Sequence, residues 1–363
     1  QEPMSEQPIG WTRYLPIFGV LGSYRRDDLS HDLVAGLVVG IVTVPQAIAY
    51  AFLAGLAPET GLYACLLPMV LYALLGSSRQ LVVGPVAVAA LMVAETIRNH
   101  AAQYGHDTVG IAAVLCVQAG LLLWLLRIFQ LGGLVNILSR PVIGGFINGA
   151  VILIVISQMP ALTGIPASPS PGPLADVLSM AQRITETNAL TLVIGLASLV
   201  FLWLFPPLVK RSLRRRKKKR DESALARVGP IFVAMGATLV VLIAGFETSA
   251  VGHIPAGLPT IKAPPFRLDL WIDLAPSAAL IAIVAYVESF SVGSALASRQ
   301  RKRVNSHQEL IALGAANLGA AFTSAYPVAG SFSRSSVNYA AGGRTPLASL
   351  AAALVILIAL MWL

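Results

Sequence analysis

Two stretches decide the fold. One is Arg79-Gln80-Leu81-Val82-Val83-Gly84-Pro85-Val86-Ala87-Val88-Ala89-Ala90-Leu91, and the other is Thr323-Ser324-Ala325-Tyr326-Pro327-Val328-Ala329-Gly330-Ser331-Phe332-Ser333-Arg334-Ser335-Ser336-Val337. Each breaks at Gly and Pro and then restarts as an apolar run shorter than the roughly 20 residues a bilayer span needs. A helix that begins at membrane depth leaves its first N–H groups without intrahelical acceptors. Its dipole makes that end attractive to anions. Such segments at matching places in the two halves of a hydrophobic chain point to the midplane substrate site of a secondary transporter.

The rest of the chain has the composition this requires. It is 56% hydrophobic and only 12% charged, with a mean hydropathy of +0.74. Soluble domains carry about twice that share of charge. The apolar runs are continuous rather than alternating, which argues for membrane helices and against a β-barrel. The net charge of +9 is concentrated, with nine basic residues between Lys210 and Arg220. Flanked by apolar spans, that run marks a cytoplasmic loop rather than a nucleic-acid patch. Cys65 and Cys116 sit inside apolar runs without metal-type spacing and are packing residues. No phosphate-binding loop or nucleophile motif is present, so neither an enzyme nor ATP-driven transport is expected of this chain. The five histidines have no ligand spacing, and no cleavable signal peptide is visible.

Eleven spans are expected, near 34–56, 61–75, 84–98, 108–128, 140–158, 187–206, 228–246, 276–297, 308–325, 331–341 and 346–363. The Pro-rich 160–173 and the stretch 252–267 read as loops, and 174–187 as a partly amphipathic surface helix. The basic loop at 210–220 follows six spans, and Arg299, Arg301, Lys302 and Arg303 follow eight. Both loops therefore share a side with the N-terminal Arg13, Arg25 and Arg26, which predicts a cytoplasmic N-terminus.

The halves also correspond in spacing. Gln46 in the first span precedes the break at Gly84 by 38 residues, and Glu288 in the eighth precedes Pro327 by 39. An odd number of spans separates the copies, so the second enters from the opposite side as an inverted repeat. Seven spans in the first copy predict seven in the second, of which four are visible. The apolar Leu354–Leu363 has no polar flank, and we expect a longer protein of which this sequence is a piece.

The run Val44-Pro45-Gln46-Ala47-Ile48-Ala49-Tyr50-Ala51-Phe52-Leu53-Ala54-Gly55-Leu56 carries a further signal. With Gly61-Leu62-Tyr63, Gly76-Ser77-Ser78-Arg79 and Val83-Gly84-Pro85-Val86-Ala87, it closely resembles the SulP (sulfate permease) family, solute carrier family 26, in a bacterial form. The resemblance is strongest over residues 32–92 and 283–349. It implies an all-α polytopic protein with a UraA-like seven-plus-seven inverted repeat of core and gate domains. Residues 1–30 would be a cytoplasmic segment, and 31–130 core segments one to four. Residues 131–250 would be gate segments five to seven with the basic loop 208–226, followed by an extracytoplasmic loop at 251–275. Residues 276–363 would be core segments eight to eleven. The remaining gate segments and a STAS domain would lie outside this sequence. The resemblance further implies a homodimer in the bacterial cytoplasmic membrane that carries anions such as sulfate, bicarbonate, chloride or dicarboxylates.

On this reading the anion sits between two half-helix starts, at Val86-Ala87-Val88 and Ser331-Phe332-Ser333, whose backbone N–H groups face it. The bland alternative is that Gly84-Pro85 and Pro327–Gly330 only kink long helices. Arg334 resembles the family's basic residue after the serine pair of segment ten and would add positive potential; alternatively it snorkels to the interface. Glu288 lies twelve residues into an apolar span. It is the candidate proton-coupling group, or else a structural carboxylate bonded to a neighbouring helix. Gln46 and Tyr50 share one helix face and would line the site, or act as interhelical glue. Glu95, His31 and Asp32 read as interfacial or flanking groups.

The expected activity is secondary active transport of a small anion such as sulfate, bicarbonate or fumarate, coupled to proton symport. Sodium coupling and an uncoupled channel or exchanger are the alternatives. No cofactor other than the coupling ion is called for, and the partners expected are the anion, the bilayer and a second copy.

Overall fold

The computed structural model describes residues 15–105, 107–133, 140–165, 173–213, 229–244, 254–255 and 257–362. Among them are fourteen α-helices and one two-stranded sheet. The first half runs α1 (Pro16–Gly22), α2 (Arg26–Leu53), α3 (Pro58–Tyr63), α4 (Leu67–Leu75), β1 (Val83–Gly84), α5 (Ala87–His100), α6 (Thr108–Ile128) and α7 (Arg140–Thr163). It continues through α8 (Pro173–Gln182), α9 (Ala189–Leu213) and α10 (Gly229–Ala244). Then come α11 (Leu268–Arg299), α12 (Ser306–Phe322), β2 (Ala329–Gly330), α13 (Phe332–Ala341) and α14 (Leu347–Trp362).

Each of the eleven expected spans is helical, the second being divided between α3 and α4. Five described stretches are long and apolar enough to cross a membrane by length and composition: Arg26–Leu53, Pro58–Leu75, Thr108–Ile128, Ala189–Val209 and Leu268–Arg299. The expected surface helix is α8 with a short 3-10 turn at Ile184–Glu186.

The first span begins earlier than expected, at Arg26, and three further boundaries differ at prolines, which sequence rules treat as punctuation. The eighth span, α11, starts at Leu268 and carries Pro276 inside it, not at its start. The loop expected from residue 160 begins later, because α7 continues through Pro160 to Thr163. Similarly, α9 runs through Pro206 and Pro207 into the basic run, as far as Leu213. Pro160 lies within a turn of its helix end and removes few bonds. Pro206, Pro207 and Pro276 lie about two turns inside their helices, where each costs a backbone bond and the helix nevertheless continues. The rest of the basic run, and residues 166–172, lie outside the described residues.

The close-packed body is built from α2–α6 and α11–α14. The most apolar window of α6 is 61% buried inside the protein, whereas that of α9 is not buried at all. Helix α12 packs against α6 and α4, α11 against α6, and α2 along α14. The α2–α14 contact depends on small residues: a Cβ added at Gly40 would fall 2.6 Å from Val355 Cβ. Without a hydrophobic drive between helices in lipid, such close approach supplies the association. Gly40→Val is expected to destabilise the protein by about 1–3 kcal/mol, the usual cost of overpacking a core. Thermal unfolding in detergent measures it.

Two polar clusters sew the body together. Asp32, expected as a flank, is instead 1% exposed. Its carboxylate accepts from Arg344 N (2.7 Å), Thr345 N (3.1 Å) and Thr345 Oγ1 (2.6 Å), which fixes the turn between α13 and α14 onto α2. Burial, together with the Asp32 carboxylate beside it, pushes the Tyr24 phenol up to about 12. Glu309, at the start of α12, is fully buried and accepts from Tyr72 Oη (2.6 Å), Ser77 N (3.0 Å) and Ser77 Oγ (2.7 Å). Ser77 Oγ in turn accepts from Asn305 N at 3.0 Å. Both clusters bind the first half of the chain to the second.

Candidate anion site where two interrupted helices meet

The two breaks pair with each other. β1 and β2 run antiparallel, with Val83 opposite Gly330 and Gly84 opposite Ala329. The pairing extends one step further, since Ser331 N donates to Val82 O at 3.0 Å. Each strand then turns into a helix, α5 after Val86 and α13 after Ser331. Short extended segments are what a membrane interior forbids unless the backbone finds partners within the protein. Here each break supplies partners for the other, so these are true interruptions and not kinks.

Side chains complete the backbone accounting. Asn317, fully buried in α12, donates from Nδ2 to Val328 O (3.1 Å) and accepts at Oδ1 from Val328 N (3.0 Å). Ser289 Oγ on α11 accepts from Gly330 N at 2.7 Å. Ser335 Oγ on α13 accepts from Val82 N at 2.9 Å. A small apolar contact of Val86, Ala89, Ala285 and Ala329 packs both breaks against α11.

The two helix starts differ in capping. At α13 the Ser331 hydroxyl accepts from Arg334 N at 3.4 Å. At α5 the N-cap is Val86, which offers no side-chain acceptor. The first N–H groups of α5, at Ala87 and Val88, thus have neither an intrahelical acceptor nor a capping group. Val86 is buried and Ala87 and Val88 partly buried, while the Phe332 and Ser333 side chains are exposed.

Arg334 does not snorkel. It is 0% exposed, and its Nη2 donates to Pro85 O at 2.6 Å, so a residue of the second break grips the first. The guanidinium lies over Gly84: a Cβ there would stand 3.2–3.3 Å from its nitrogens and central carbon. Any larger residue at position 84 would push the guanidinium away by a few tenths of an ångström. Arg334 Nε and Nη1 are buried with no partner among the described residues. Such donors cost about 1–3 kcal/mol each if left unmet, more when charged.

Glu288 lies one residue from the Ser289 that holds β2, and Arg334 is within its electrostatic reach. Its Oε2 is buried and has no hydrogen-bond partner among the described residues. Gln46 Nε2 donates to Tyr50 Oη at 3.2 Å, a bond within α2 and not between helices. Gln46 Oε1 is likewise buried without a partner among the described residues. Glu95, by contrast, is an exposed partner of Arg98. The structure thus gathers both helix starts, Arg334 and Glu288 around α11, and gives the Gln46–Tyr50 pair one face of α2.

Sequence reasoning missed Asn317, Ser335, Asp32 and Glu309. A lone amide or carboxylate within an apolar span was the available signal for Asn317 and Glu309, since such groups are expensive in membranes unless partnered. The serines carried none, because serine is common at small-residue helix contacts.

Paired interrupted helices in a polytopic helical bundle define an inverted-repeat membrane transporter. The sequence pattern of the Sulfate permease family matches residues 29–363, and the chain belongs to that family. It is similar to a probable sulfate transporter of Mycobacterium tuberculosis, at 36% identity over 332 residues, covering 91% of this chain and 56% of that protein. Among solved structures it resembles the murine solute carrier 26 anion transporter A9 in its inward-facing state. That match has 27% identity and a TM-score of 0.81, covering 99% of this chain and 61% of that one. The transmembrane domain of the cyanobacterial bicarbonate transporter BicA matches with 22% identity and a TM-score of 0.82, covering 93% of this chain and 84% of that one. The fold is therefore the UraA-like inverted repeat of these transporters, and the family is one of transporters, not enzymes. The chain spans about half the length of the curated relatives it matches.

Proposed function

We propose that this chain is the membrane part of a secondary active transporter for a small anion, sulfate, bicarbonate or a dicarboxylate, driven by proton symport. The observation that carries the reading is the meeting of two helix starts beside a buried guanidinium with two unmet donors. Each helix end contributes roughly half a positive charge. Together with Arg334 they compensate one to two negative charges without a fixed counter-carboxylate. The relatives' names favour sulfate as the first substrate to test.

In this reading α2–α6 and α11–α14 form the core that carries the anion, and α7, α9 and α10 belong to the gate it moves against. The protein works as a homodimer in the bacterial cytoplasmic membrane with its N-terminus inside. Ala87, Val88, Ser331, Phe332 and Ser333 act through their backbone N–H groups, Arg334 through its charge, and Gln46 and Tyr50 line the side. Glu288 takes up a proton when the anion binds. A neutral carboxyl removes repulsion of the anion, which makes the two bindings mutually favourable.

The test uses the full-length protein in proteoliposomes with radiolabelled sulfate, bicarbonate and fumarate. Uptake above the external concentration, driven by an inward proton gradient, is the expected result. Downhill flux alone would make it a channel or exchanger, and accumulation that follows sodium at fixed pH would make sodium the coupling ion.

A further inference from the structure

Tyr326 stands one residue before the break at Pro327, and it is 0% exposed. Its hydroxyl is buried with no hydrogen-bond partner among the described residues. A buried tyrosine hydroxyl ordinarily has one, because an unmet donor is costly. Its position is at the breaks: it packs in one apolar cluster with Leu81 and Val83 of the first break and Val328 of the second, and Tyr50 packs against that cluster. Arg334 and Tyr50 both lie within its electrostatic reach, as does Cys65. The unmet hydroxyl thus belongs to the meeting point of the two breaks, within reach of Arg334, whose guanidinium has unmet donors, and of Tyr50, the partner of Gln46.

We propose that Tyr326 is a specificity-determining residue of the anion site, its hydroxyl donating a hydrogen bond to an oxygen of a bound oxyanion. This rests on the anion-transport reading above. The physical reason is directional. Tyr326 Oη, Arg334 Nε and Nη1, and the Ala87 and Val88 N–H groups come from three different elements of the chain. A multi-oxygen anion presents separate acceptors to such divergent donors, whereas a monatomic halide offers one centre to all of them. Removing the hydroxyl thus penalises the oxyanion more than the halide, since a site built to hydrogen-bond a group discriminates by that bond. A hydrogen bond to a charged group corresponds to a factor of roughly ten or more in affinity.

The experiment compares wild type and Tyr326→Phe as full-length protein in proteoliposomes, with radiolabelled sulfate and fumarate as substrates and chloride as competitor. Tyr326→Phe keeps the ring and its packing. The expected result is a rise of about tenfold in KM for both oxyanions, with the inhibition constant of chloride changed less than about twofold. Site-specific replacement of Tyr326 by a ring-fluorinated tyrosine, a stronger donor of nearly the same shape, is the second arm, and it lowers the oxyanion KM. It decides the matter if Tyr326→Phe does not fold. Unchanged oxyanion KM in Tyr326→Phe, an equal shift for chloride, or no effect of fluorination overturns the proposal and assigns the hydroxyl to a water. A wild type that carries none of these anions overturns the transport reading itself, which is a separate outcome.

Discussion

Arg334→Gln raises the KM for the transported oxyanion by about two orders of magnitude, equivalent to roughly 3 kcal/mol, and does so without lowering the melting temperature. The two halves of this expectation have different origins. The binding loss follows from charge: Arg334 is buried, lies over Gly84 at the first break and belongs to the second. Removing it leaves an anion in a poorly solvated site with only partial helix charges to meet it. The stability half follows from the unmet donors. Among the described residues the guanidinium has one hydrogen bond, to Pro85 O, and two buried nitrogens without partners. A buried charge with unmet donors costs the fold stability, and glutamine is neutral and smaller. Uptake kinetics in proteoliposomes and thermal unfolding in detergent measure the two quantities. A lowered melting temperature with unchanged KM would make Arg334 a structural staple between the breaks. Arg334→Lys is expected to recover only part of the loss, because a single ammonium cannot hold Pro85 O and still present the separate donors of a planar guanidinium.

Much of this arrangement is legible in the sequence because the bilayer simplifies the reading. The interrupted segments declare themselves by Gly84-Pro85 and Pro327–Gly330 in otherwise apolar runs, and the helix starts fall where those residues place them, at Val86 and Ser331. Span number and repeat spacing follow from hydropathy for the same reason. The pairing of one break with the other is not legible. Two-residue strands carry no alternation, and the bond partners Val82, Val83, Ala329 and Gly330 have side chains silent about their backbone. The role of Asp32 is illegible too: an acid just ahead of the first expected span reads as a solvated flank until the turn at Arg344 and Thr345 is seen against it. Prolines mislead in the opposite sense, since Pro276 lies inside a helix that its rule would have it begin.

Glu288 and Glu309, which composition alone treats alike, have different surroundings in the structure. Glu309 is completely buried, yet its carboxylate accepts three hydrogen bonds, from Tyr72 and twice from Ser77. It is held in one state by fixed donors, which makes it a clamp between α4 and α12. Glu288 Oε2 is buried with no donor among the described residues, on the helix that packs both breaks and within reach of Arg334. A carboxylate without fixed donors is the one whose protonation the arrival of an anion can change. Glu288→Gln therefore abolishes proton-driven accumulation while leaving exchange of anion for anion. Each proton carried per anion supports about a tenfold gradient per pH unit, which is about 1.4 kcal/mol. Wild-type vesicles with one unit of inward gradient and the membrane potential clamped should concentrate a monoanion about tenfold, and Glu288→Gln vesicles not at all. Counterflow into preloaded vesicles proceeds in both. Glu309→Gln gives the opposite pattern, a lower melting temperature with coupling intact, because an amide cannot accept all three donors through one oxygen and one nitrogen. Full accumulation in Glu288→Gln removes Glu288 from coupling, and loss of coupling in Glu309→Gln moves the proton site from the helix that holds the breaks to the one that clamps α4.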